Sequence, residues 1–553
     1  IRILAPEDYA DLAQDLAGRL EQETGSDLEV LTEETAIKEA MRQDHDFIAL
    51  GRFDNNPLIA ELYFESEAFL DTAFPGPEGH FVKTLIAPFE KGHVILIGGS
   101  GKAGVERSME VFMNRVKEHG ADLPPLHDIE SSLLDIRTPP ASEIPAIIQK
   151  NIGYFWSSMG SSALHNAYEY AFNYHMSGEK IWIGLFKGVL DYYIDQARAA
   201  GNNWFFAPRL SWYFVYAPLL EMWDLIEYSD HFTQEDRDRY HQAFLDMGRY
   251  LSQMPYLTSR GNPAGEPRQN HTTFAASSLD AAVRYFSRHG VKEAEEWRDI
   301  TGRIFAGQLR TYRSDDDAGY GYTWYAPVNA MQYWLRRDPD RLKQSNLPEN
   351  LARLGLMITD NRRDPVTFGD VRTYTPFERR GWPRYMAPVF NIAYWLTSRE
   401  EFAWGSQWIT EGKTPPAGLM RTLNCPLFYT PMPEDPAVPV SCTGIQVMLL
   451  DEAPLEWIAS RVQKKQWFPQ KDRPYYDKLS LRPSFDPQDE YLLLDGTSAF
   501  AHGHEDANAI ARLTWKDRIW LADLDYIRTM PRYHNTVEII RGGRTTVSPP
   551  VAL

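Results

Sequence analysis

Cysteine, long apolar segments and an excess of positive charge are all missing from this sequence. Its 553 residues include only Cys425 and Cys442, a count that neither requires nor excludes an exported protein. No apolar run reaches the roughly 20 residues that a membrane-spanning helix needs. The 57 Lys and Arg stand against 76 Asp and Glu, a net charge of −19. Nucleic acid is therefore disfavoured as a general partner, because phosphate binding needs a broad basic surface.

Apolar and aromatic residues are abundant. A hydrophobic fraction of 43% predicts a chain that is folded throughout, and its length predicts two to four domains. The 16 Trp, 29 Tyr and 27 Phe suit stacking on sugar rings, although a large helical core also uses such residues. An acidic sugar polymer is repelled by an acidic protein, so a substrate of that kind requires a locally basic cleft.

Residues 1–118 alternate short β-like runs with helical segments. Residues 46–50 and 94–97 read as strands and residues 103–118 as a helix. This alternation predicts a small α/β domain. It loosely resembles the accessory domain that precedes the catalytic part of some glycoside hydrolases.

A glycine-rich stretch at 98–104, Gly-Gly-Ser-Gly-Lys-Ala-Gly, lies between the second strand and the helix. It looks like a phosphate-binding loop at first sight. Leu96 and Ala103 occupy the positions where such a loop needs Gly and Ser or Thr. We therefore expect a tight turn from strand to helix here, and no nucleotide site.

Residues 119–410 carry helical periodicity with many aromatic residues, after a proline-rich connector at 138–140. Repeated helices with short loops predict an (α/α) toroid or a solenoid, and the lack of a fixed sequence period disfavours the solenoid. The predicted helices are 144–159, 162–175, 180–199, 209–228, 234–252, 271–289 and 292–312.

Residues 411–553 change to alternating apolar and polar positions, which predicts antiparallel sheet. Because the chain stops at residue 553 soon after a predicted strand, we expect part of this β domain to be missing. The predicted strands are 444–450, 456–461, 491–494, 509–513, 519–524 and 536–540.

Two polar clusters fall in the helical region. Residues 268–273, Arg-Gln-Asn-His-Thr-Thr, lie at the start of a predicted helix, where Asn and His can point into a cavity or simply cap the helix. Residues 315–325 begin with three Asp and continue with tyrosines that we predict to lie in a loop. Packing aromatics are the alternative for the second cluster.

The third cluster is rich in histidine and lies between residues 502 and 537. Three of the chain's 14 histidines fall here. Two imidazoles on one face of a strand, with a carboxylate, suit a zinc-like ion. The cluster consists of His502-Gly503-His504-Glu505-Asp506-Ala507-Asn508, Leu521-Ala522-Asp523 and Tyr533-His534-Asn535-Thr536-Val537.

This cluster resembles the signature of the heparinase II/III-like polysaccharide lyases, which include alginate lyases. In that signature a His-x-His-x-Asp strand is followed by a strand with Asp and then by His-Asn-Thr-Val. Residues 365–370, Pro-Val-Thr-Phe-Gly-Asp, resemble the Pro-x-x-x-Gly-Asp turn of the same lyases, and the spacing from His271 to Tyr325 also agrees. The matches span about residues 140–553.

The resemblance implies a multidomain fold and an elimination reaction on a uronate-containing acidic polysaccharide. The fold would be an N-terminal α/β domain, a central incomplete (α/α) toroid and a C-terminal antiparallel β-sandwich. Tyr325 would transfer the proton, Asn270 and His271 would bind the uronate carboxylate, and His502 would reach the cleft from the β domain. A substrate of this kind implies a secreted or periplasmic enzyme.

The resemblance also implies binding roles and a structural metal. For substrate binding we expect Arg268, Trp212 and Tyr322. A zinc-like divalent ion would be held by His504, Asp523 and His534. Phe274 and Tyr322 depart from the family, since each stands where a branch of it has Glu, so the identity of the polymer does not transfer.

Three other functions stay open at this point. Asp315, Asp316 and Asp317 are candidates for the paired carboxylates of a glycoside hydrolase on the same scaffold. A uronate C5-epimerase removes the same proton and returns it to the other face. A non-catalytic glycan-binding protein would use the aromatic residues without turnover.

Overall fold

The structure is a computed structural model, and its chain forms two compact units. The first unit includes Ile1–Met254 and Ser277–Asp299, and the second includes Pro255–Ala276, Ile300–Pro415 and Met432–Leu553. The structure describes residues 1–89, 92–133, 136–207, 209–258, 269–314, 319, 322–369, 376–412, 430–462, 473–498, 504–523, 529–537 and 540–545.

The first unit begins with a six-stranded sheet. Its strands are β1 Arg2–Leu4, β2 Glu29–Leu31, β3 Phe47–Gly51, β4 His80–Leu85, β5 Val94–Gly98 and β6 His127–Glu130, in the order β2-β1-β3-β5-β4-β6. The first four in that order are parallel, and β4 is antiparallel to both of its neighbours. The accompanying helices are α1 Ala10–Thr24, α2 Glu34–Ala40, α3 Pro57–Phe64 and α4 Lys102–His119.

The sheet confirms the α/β prediction for this part of the chain and extends it. Ile3, Ile48 and Leu50 are buried in one apolar cluster with Leu16 of α1 and Phe112 of α4. Because β6 pairs with β4, the α/β part continues to Glu130, past the boundary predicted at residue 118.

The glycine-rich stretch is a close strand-to-helix turn, as expected. A side chain at Gly99 would place its Cβ 2.5 Å from the backbone of Gly104, a distance that no real Cβ tolerates. The glycines therefore permit backbone contact, which accounts for their presence without a phosphate ligand.

Helices dominate the next part of the chain. They are α5 Ile144–Phe155, α6 Ser162–Ser177, α7 Ile181–Ala199, α8 Tyr216–Ile226, α9 Gln234–Ser252, α10 Pro255–Thr258, α11 Asn270–Arg288, α12 Glu293–Gln308, α13 Tyr322–Arg337, α14 Pro339–Gln344, α15 Leu347–Met357, α16 Pro376–Thr397 and α17 Glu400–Thr410. None in the described part is long and apolar enough to cross a membrane. The toroidal arrangement stays a prediction.

The predicted helices are confirmed with one break. The segment 209–228 divides into a 3-10 turn at Trp212–Phe214 and α8. Pro218 lies in the first turn of α8, where its missing N–H costs no intrahelical hydrogen bond. Proline thus favours a new helix start at this point.

The second unit contains a five-stranded antiparallel sheet. Its strands are β7 Gly444–Leu449, β8 Tyr476–Arg482, β9 Tyr491–Asp495, β10 Ala509–Trp515 and β11 Arg518–Ala522, in the order β11-β10-β9-β8-β7. Two further strands, β12 Ile540–Arg541 and β13 Arg544–Thr545, pair with each other. Within the described residues the sheet is a single layer, so the second layer of the predicted β-sandwich stays a prediction.

In the five-stranded sheet one predicted strand is wrong and one strand was missed, and the strand predicted at 536–540 agrees with the described residues only at Ile540, where β12 begins. Residues 456–461 lie in a helix, α18 Glu452–Val462, because Pro454 suits a first helical turn and Pro454 and Ile458 are buried at a helical spacing. The missed strand is β8. It carries Asp477 and Lys478, and their charges hide its apolar alternation.

Those two charged residues belong to a buried ionic cluster. Lys478 Nζ lies 2.8 Å from a carboxylate oxygen of Asp477 and 2.8 Å from one of Asp495. Arg313 Nη1 lies 3.2 Å from Asp477, and Tyr312 donates a hydrogen bond of 2.8 Å to the same carboxylate. The cluster therefore joins the sheet to the chain segment before α13 by paired, desolvated charges.

Candidate functional site

Asn270 and His271 occupy the first turn of α11. Asn270 is buried, and its Oδ1 accepts a hydrogen bond of 2.8 Å from the backbone N–H of His271. The ring of His271 is half-buried and stacks on Tyr256, with ring centroids 5.1 Å apart and planes 13° apart. The Oδ1 of Asn270 thus satisfies the His271 N–H, one of the N–H groups that lack a partner at the start of a helix. The Nδ2 group of the same amide carries the donors that could bind a carboxylate.

Tyr322 and Tyr325 lie on α13, so the predicted tyrosine loop is wrong at these positions. Both rings are half-buried. The Tyr325 ring lies against Phe274, with centroids 5.2 Å apart, and Tyr322 approaches it edge-on at 6.3 Å. Thr323, Trp324 and following residues bury most of the helix surface, and this burial favours a helix over the loop that the aromatic-rich pattern suggested.

The first turn of α11 is joined to the middle of α13 by a hydrogen bond that the sequence did not predict. Asn329 Nδ2 donates to Thr273 Oγ1 over 3.2 Å. Asn329 lies one turn after Tyr325, and Thr273 lies two residues after His271. Within the described part of the chain, the buried Asn329 Oδ1 has no hydrogen-bond partner. The available signal was a polar residue, Asn329, within the otherwise apolar stretch 326–331 of this helix.

Several predicted residues lie elsewhere. Arg268, His502 and the acidic residues 315–317 fall outside the described residues. Trp212 belongs to the first unit and has no exposed surface, because Tyr216 and other aromatic rings enclose it. A sugar cannot stack on an enclosed ring, so the burial of Trp212 argues against its predicted role in substrate binding.

The histidine-rich cluster brings three potential metal ligands together. Ligand atoms of His504, Asp506 and His534 all lie within 4.8 Å of one another, and the three residues are buried. Asp523 has another position: its Oδ1 and Oδ2 lie 3.1 and 3.2 Å from His534 Nδ1. Asp506 thus joins His504 and His534 as a candidate ligand, and Asp523 lies where a hydrogen-bond partner of a ligating His534 would lie.

The donor set fits a zinc-like ion. Two imidazoles and one carboxylate in a buried position are ligands that Zn²⁺ prefers. A carboxylate on the far nitrogen of a ligating His is a frequent second partner that fixes the ring. His504, Asp506 and His534 are thus the described residues best placed to hold a divalent metal.

The turn at 365–369 links this cluster to the start of α13. Gly369 N–H donates to Asp506 Oδ2 over 3.2 Å, and Thr367 Oγ1 donates to the Asp523 carbonyl over 2.8 Å. The Phe368 carbonyl accepts from the N–H of Gly319, three residues before α13 begins, over 3.1 Å. A continuous set of hydrogen bonds therefore runs from the metal-ligand cluster to the tyrosine helix.

Comparisons with known proteins give similarity in structure only. No family model matches the chain, and no curated protein sequence matches it. The structure is similar to heparan sulfate lyase HepC from Pedobacter heparinus, at 15% identity and a TM-score of 0.38, over 77% of this chain and 62% of that one. It is also similar to a heparinase III, at 14% identity and 0.41, over 71% and 54%, and to a second heparinase III, at 13% and 0.42, over 73% and 64%.

The chain spans between 54% and 64% of the length of these solved proteins. Likeness at this level concerns the fold and says nothing of activity. The chemistry has to be argued from this chain's own residues.

Proposed function

We propose that this chain is a polysaccharide lyase that cleaves a uronate-containing acidic polysaccharide by β-elimination, with Asn270, His271 and Tyr325 at the reaction centre. The observation that carries the proposal is the packing of the start of α11 against the first half of α13. Phe274 contacts Tyr325, and Thr273 accepts the hydrogen bond of Asn329. These contacts bring the amide, the imidazole and the phenol to neighbouring helical turns.

The amide and imidazole suit the first requirement of the reaction. Removing the C5 proton of a uronate builds negative charge on its carboxylate, which must be stabilised before a weak base can act. Asn270 Nδ2 and a ring N–H of His271 are donors for that carboxylate. The hydrogen bond from the His271 N–H to Asn270 Oδ1 holds the amide in the orientation that presents its donors.

Tyr325 suits the second requirement, proton transfer. As phenolate it takes the C5 proton, the C5–H electrons form the C4–C5 double bond, and the C4–O4 bond breaks. The departing O4 then takes a proton, from Tyr325 itself or from His271. The products are a new non-reducing end with an unsaturated uronate and a chain with a free hydroxyl.

Phe274 shapes the surroundings of this tyrosine. It stands where a branch of the resembling family has Glu, and its ring lies 5.2 Å from the Tyr325 ring. An apolar ring at this position brings no negative charge against the phenolate or the uronate.

We also propose that His504, Asp506 and His534 hold a structural divalent metal, with zinc the best chemical match. Such an ion would cross-link the loop segment before β10 to the segment after β11, since these two segments contribute the ligands. Elimination needs no activated water, so the reaction centre and the metal cluster have separate tasks. Through Asp506, Gly369 and Phe368 the cluster supports the start of α13.

Ultraviolet absorbance on a panel of uronate polymers tests the proposal. The C4–C5 double bond of a lyase product absorbs, and a hydrolase releases new reducing ends without it. An epimerase incorporates solvent deuterium into polymer of unchanged length, and a binding protein shows no turnover. Absorbance from the native chain that is absent in Tyr325→Phe supports the proposal, whereas any of the other three outcomes refutes it.

The substrate class implies where the protein works. Uronate polymers of this kind are extracellular, so we expect a secreted or periplasmic protein. Fractionation of cells that express the natural gene measures this directly.

A further inference from the structure

A cavity in the first unit has no part in the proposed elimination. Its volume is about 390 Å³, within the range of roughly 300–1,000 Å³ that small-ligand sites occupy. Strands β4 and β6 contribute Lys83 and His127 to its lining. Tyr174 of α6 and Ser229, which follows α8, contribute to the lining from the helical part of the unit. The cavity therefore lies where the α/β sheet meets the helices of the same unit.

Lys83 is the unusual group in this lining. It is buried, and its Nζ lies 2.9 Å from the Leu225 carbonyl and 3.0 Å from His175 Nδ1. Both partners are uncharged acceptors. Among the described residues, no carboxylate oxygen lies within ion-pair distance of this Nζ, although buried lysines normally have such a partner.

The burial of Lys83 favours its neutral amine. Burial lowers the pKa of Lys83 to about 7, and Glu67 and Asp224 act in the opposite direction without restoring it. Both carboxylates are instead paired with Arg288, whose Nη1 lies 2.8 Å from Glu67 Oε1. The charge that would stabilise an ammonium at Lys83 is thus shared with a guanidinium.

The two histidines next to Lys83, His127 and His175, are neutral. Burial, and then Lys83, lower the pKa of His127 to about 4 and that of His175 well below its ordinary value. His127 Nε2 lies 2.6 Å from the His175 carbonyl, so the two residues belong to one hydrogen-bonded group. A neutral Lys83 can donate to its two acceptors and still carry a lone pair.

We propose that this cavity binds a small neutral carbonyl compound, such as a hydroxyaldehyde or open-chain sugar, and that Lys83 captures it as an imine. The amine lone pair attacks the carbonyl carbon, a C–N bond forms, and the carbonyl oxygen leaves as water while the C=N bond forms. The two amine protons leave with that oxygen, so the step balances without a further reactant.

A neutral ligand is favoured over an anion. The arginines in the lining are already paired: Arg288 with Glu67 and Asp224, and Arg115 with Asp128 over 3.0 Å. The hydroxyl groups of Tyr174 and Ser229 hydrogen-bond each other over 2.7 Å, and each keeps acceptor capacity for the hydroxyls of a small sugar. The proposal stands independently of the elimination reaction.

Reductive trapping tests the proposal on the native protein. The protein is incubated with D-glyceraldehyde and sodium cyanoborohydride at pH 7, and labelled lysines are quantified by peptide mass mapping. Lys102, an exposed lysine paired with Asp11, is the reference in the same sample. At pH 7 about half of a lysine with a pKa near 7 is neutral, against about 0.03% of an ordinary one, so we expect Lys83 to react at least about tenfold faster.

Two controls separate cavity binding from general reactivity. Periodate-oxidised dextran, an aldehyde too large for the cavity, should label Lys102 and leave Lys83 unlabelled. The rate at Lys83 should level off above pH 7 to 8, whereas the rate at Lys102 should keep rising. Lys83→Met identifies the labelled peptide.

The outcomes that overturn the proposal are equally clear. A rate at Lys83 no greater than at Lys102 assigns Lys83 a linking role between β4 and α8 and removes the imine site. Equal labelling of Lys83 by the dextran aldehyde shows a lysine open to solvent, which contradicts capture within the cavity.

Discussion

His534 Nδ1 lies 3.1 Å from Asp523 Oδ1, and its ring centroid lies 5.5 Å from that of His504. One nitrogen of this imidazole is thus held by a carboxylate while the ring faces a second histidine. This arrangement divides the histidine-rich cluster into residues that can bind a metal and a residue that orients one of them.

The first prediction concerns metal content. His504→Ala and Asp506→Asn should each remove about one divalent metal per chain, because each deletes a ligand. Asp523→Asn should keep the metal but weaken its binding by about 10- to 100-fold, since only the orientation of His534 is disturbed. Elemental analysis after dialysis against graded chelator measures both. Equal metal loss in all three variants would return Asp523 to the ligand set, and no metal in the native protein would remove the site.

The second prediction concerns Tyr325. Tyr325→Phe removes only the hydroxyl and should lower the elimination rate by about 10²- to 10⁴-fold with little change in polymer binding. Tyr322→Phe is the matched control, because it removes the same group from the same helix, from a ring whose centroid lies 6.3 Å from that of Tyr325. A near-normal rate in Tyr325→Phe with a large loss in Tyr322→Phe would reassign the proton carrier.

The third prediction concerns the close approach of Gly319 to the turn at 365–369. A Cβ at Gly319 would lie 1.9 Å from the Val366 carbonyl oxygen, so Gly319→Ala should shift that backbone and lower both stability and turnover. Gly302→Ala in α12 is the control. Its Cβ would meet only the Tyr333 hydroxyl at 3.5 Å, and alanine should stabilise that helix by about 0.5–1 kcal/mol. Urea unfolding and initial rates measure both variants, and normal behaviour of Gly319→Ala would contradict the link.

The fourth prediction concerns pH and the buried Asp360. Burial raises the pKa of Asp360 to about 6, Arg512 lowers it and Asp364 raises it further. Because the folded-state pKa of Asp360 exceeds its unfolded value, the folded chain binds this proton more tightly than the unfolded chain. The contribution of the protonated carboxyl to the free energy of unfolding is therefore fully present below about pH 4 and is lost as the pH rises through 6. Asp360→Asn should therefore gain stability relative to the native chain, by about 1–3 kcal/mol between pH 4 and pH 7.5. Urea unfolding at several pH values measures the difference, and a difference that is constant with pH would contradict the shifted pKa.

Helix positions were largely predictable, because apolar periodicity is a local property of the chain. The predicted segment 234–252 corresponds to α9. The predicted segment 144–159 corresponds to α5, which ends earlier, at Phe155. The errors have local causes too. Charges at Asp477 and Lys478 concealed β8, since the sequence does not reveal that the two charges would be buried against Arg313 and Asp495.

The site was predictable in its residue types and less so in its contacts. The pattern of histidines and the Asn-His pair were visible in the sequence, and the resemblance named Tyr325. The sequence did not single out Asn329, whose importance depends on a partner on another helix. Trp212 was assigned to substrate from its residue type, and only burial removed it.

By itself the sequence determined the order of the predicted helices, most strands of the five-stranded sheet, the acidic character, and the candidate residues for proton transfer and metal binding. Tertiary structure decided which of them meet. It placed Asp506 with His504 and His534, and it placed the Asp523 carboxylate next to His534 Nδ1. It also buried Lys83 beside His175, with no carboxylate partner among the described residues. The reason is physical: periodicity and capping act over a few residues, whereas ligand geometry and desolvation depend on groups that are distant in the chain and adjacent only after packing.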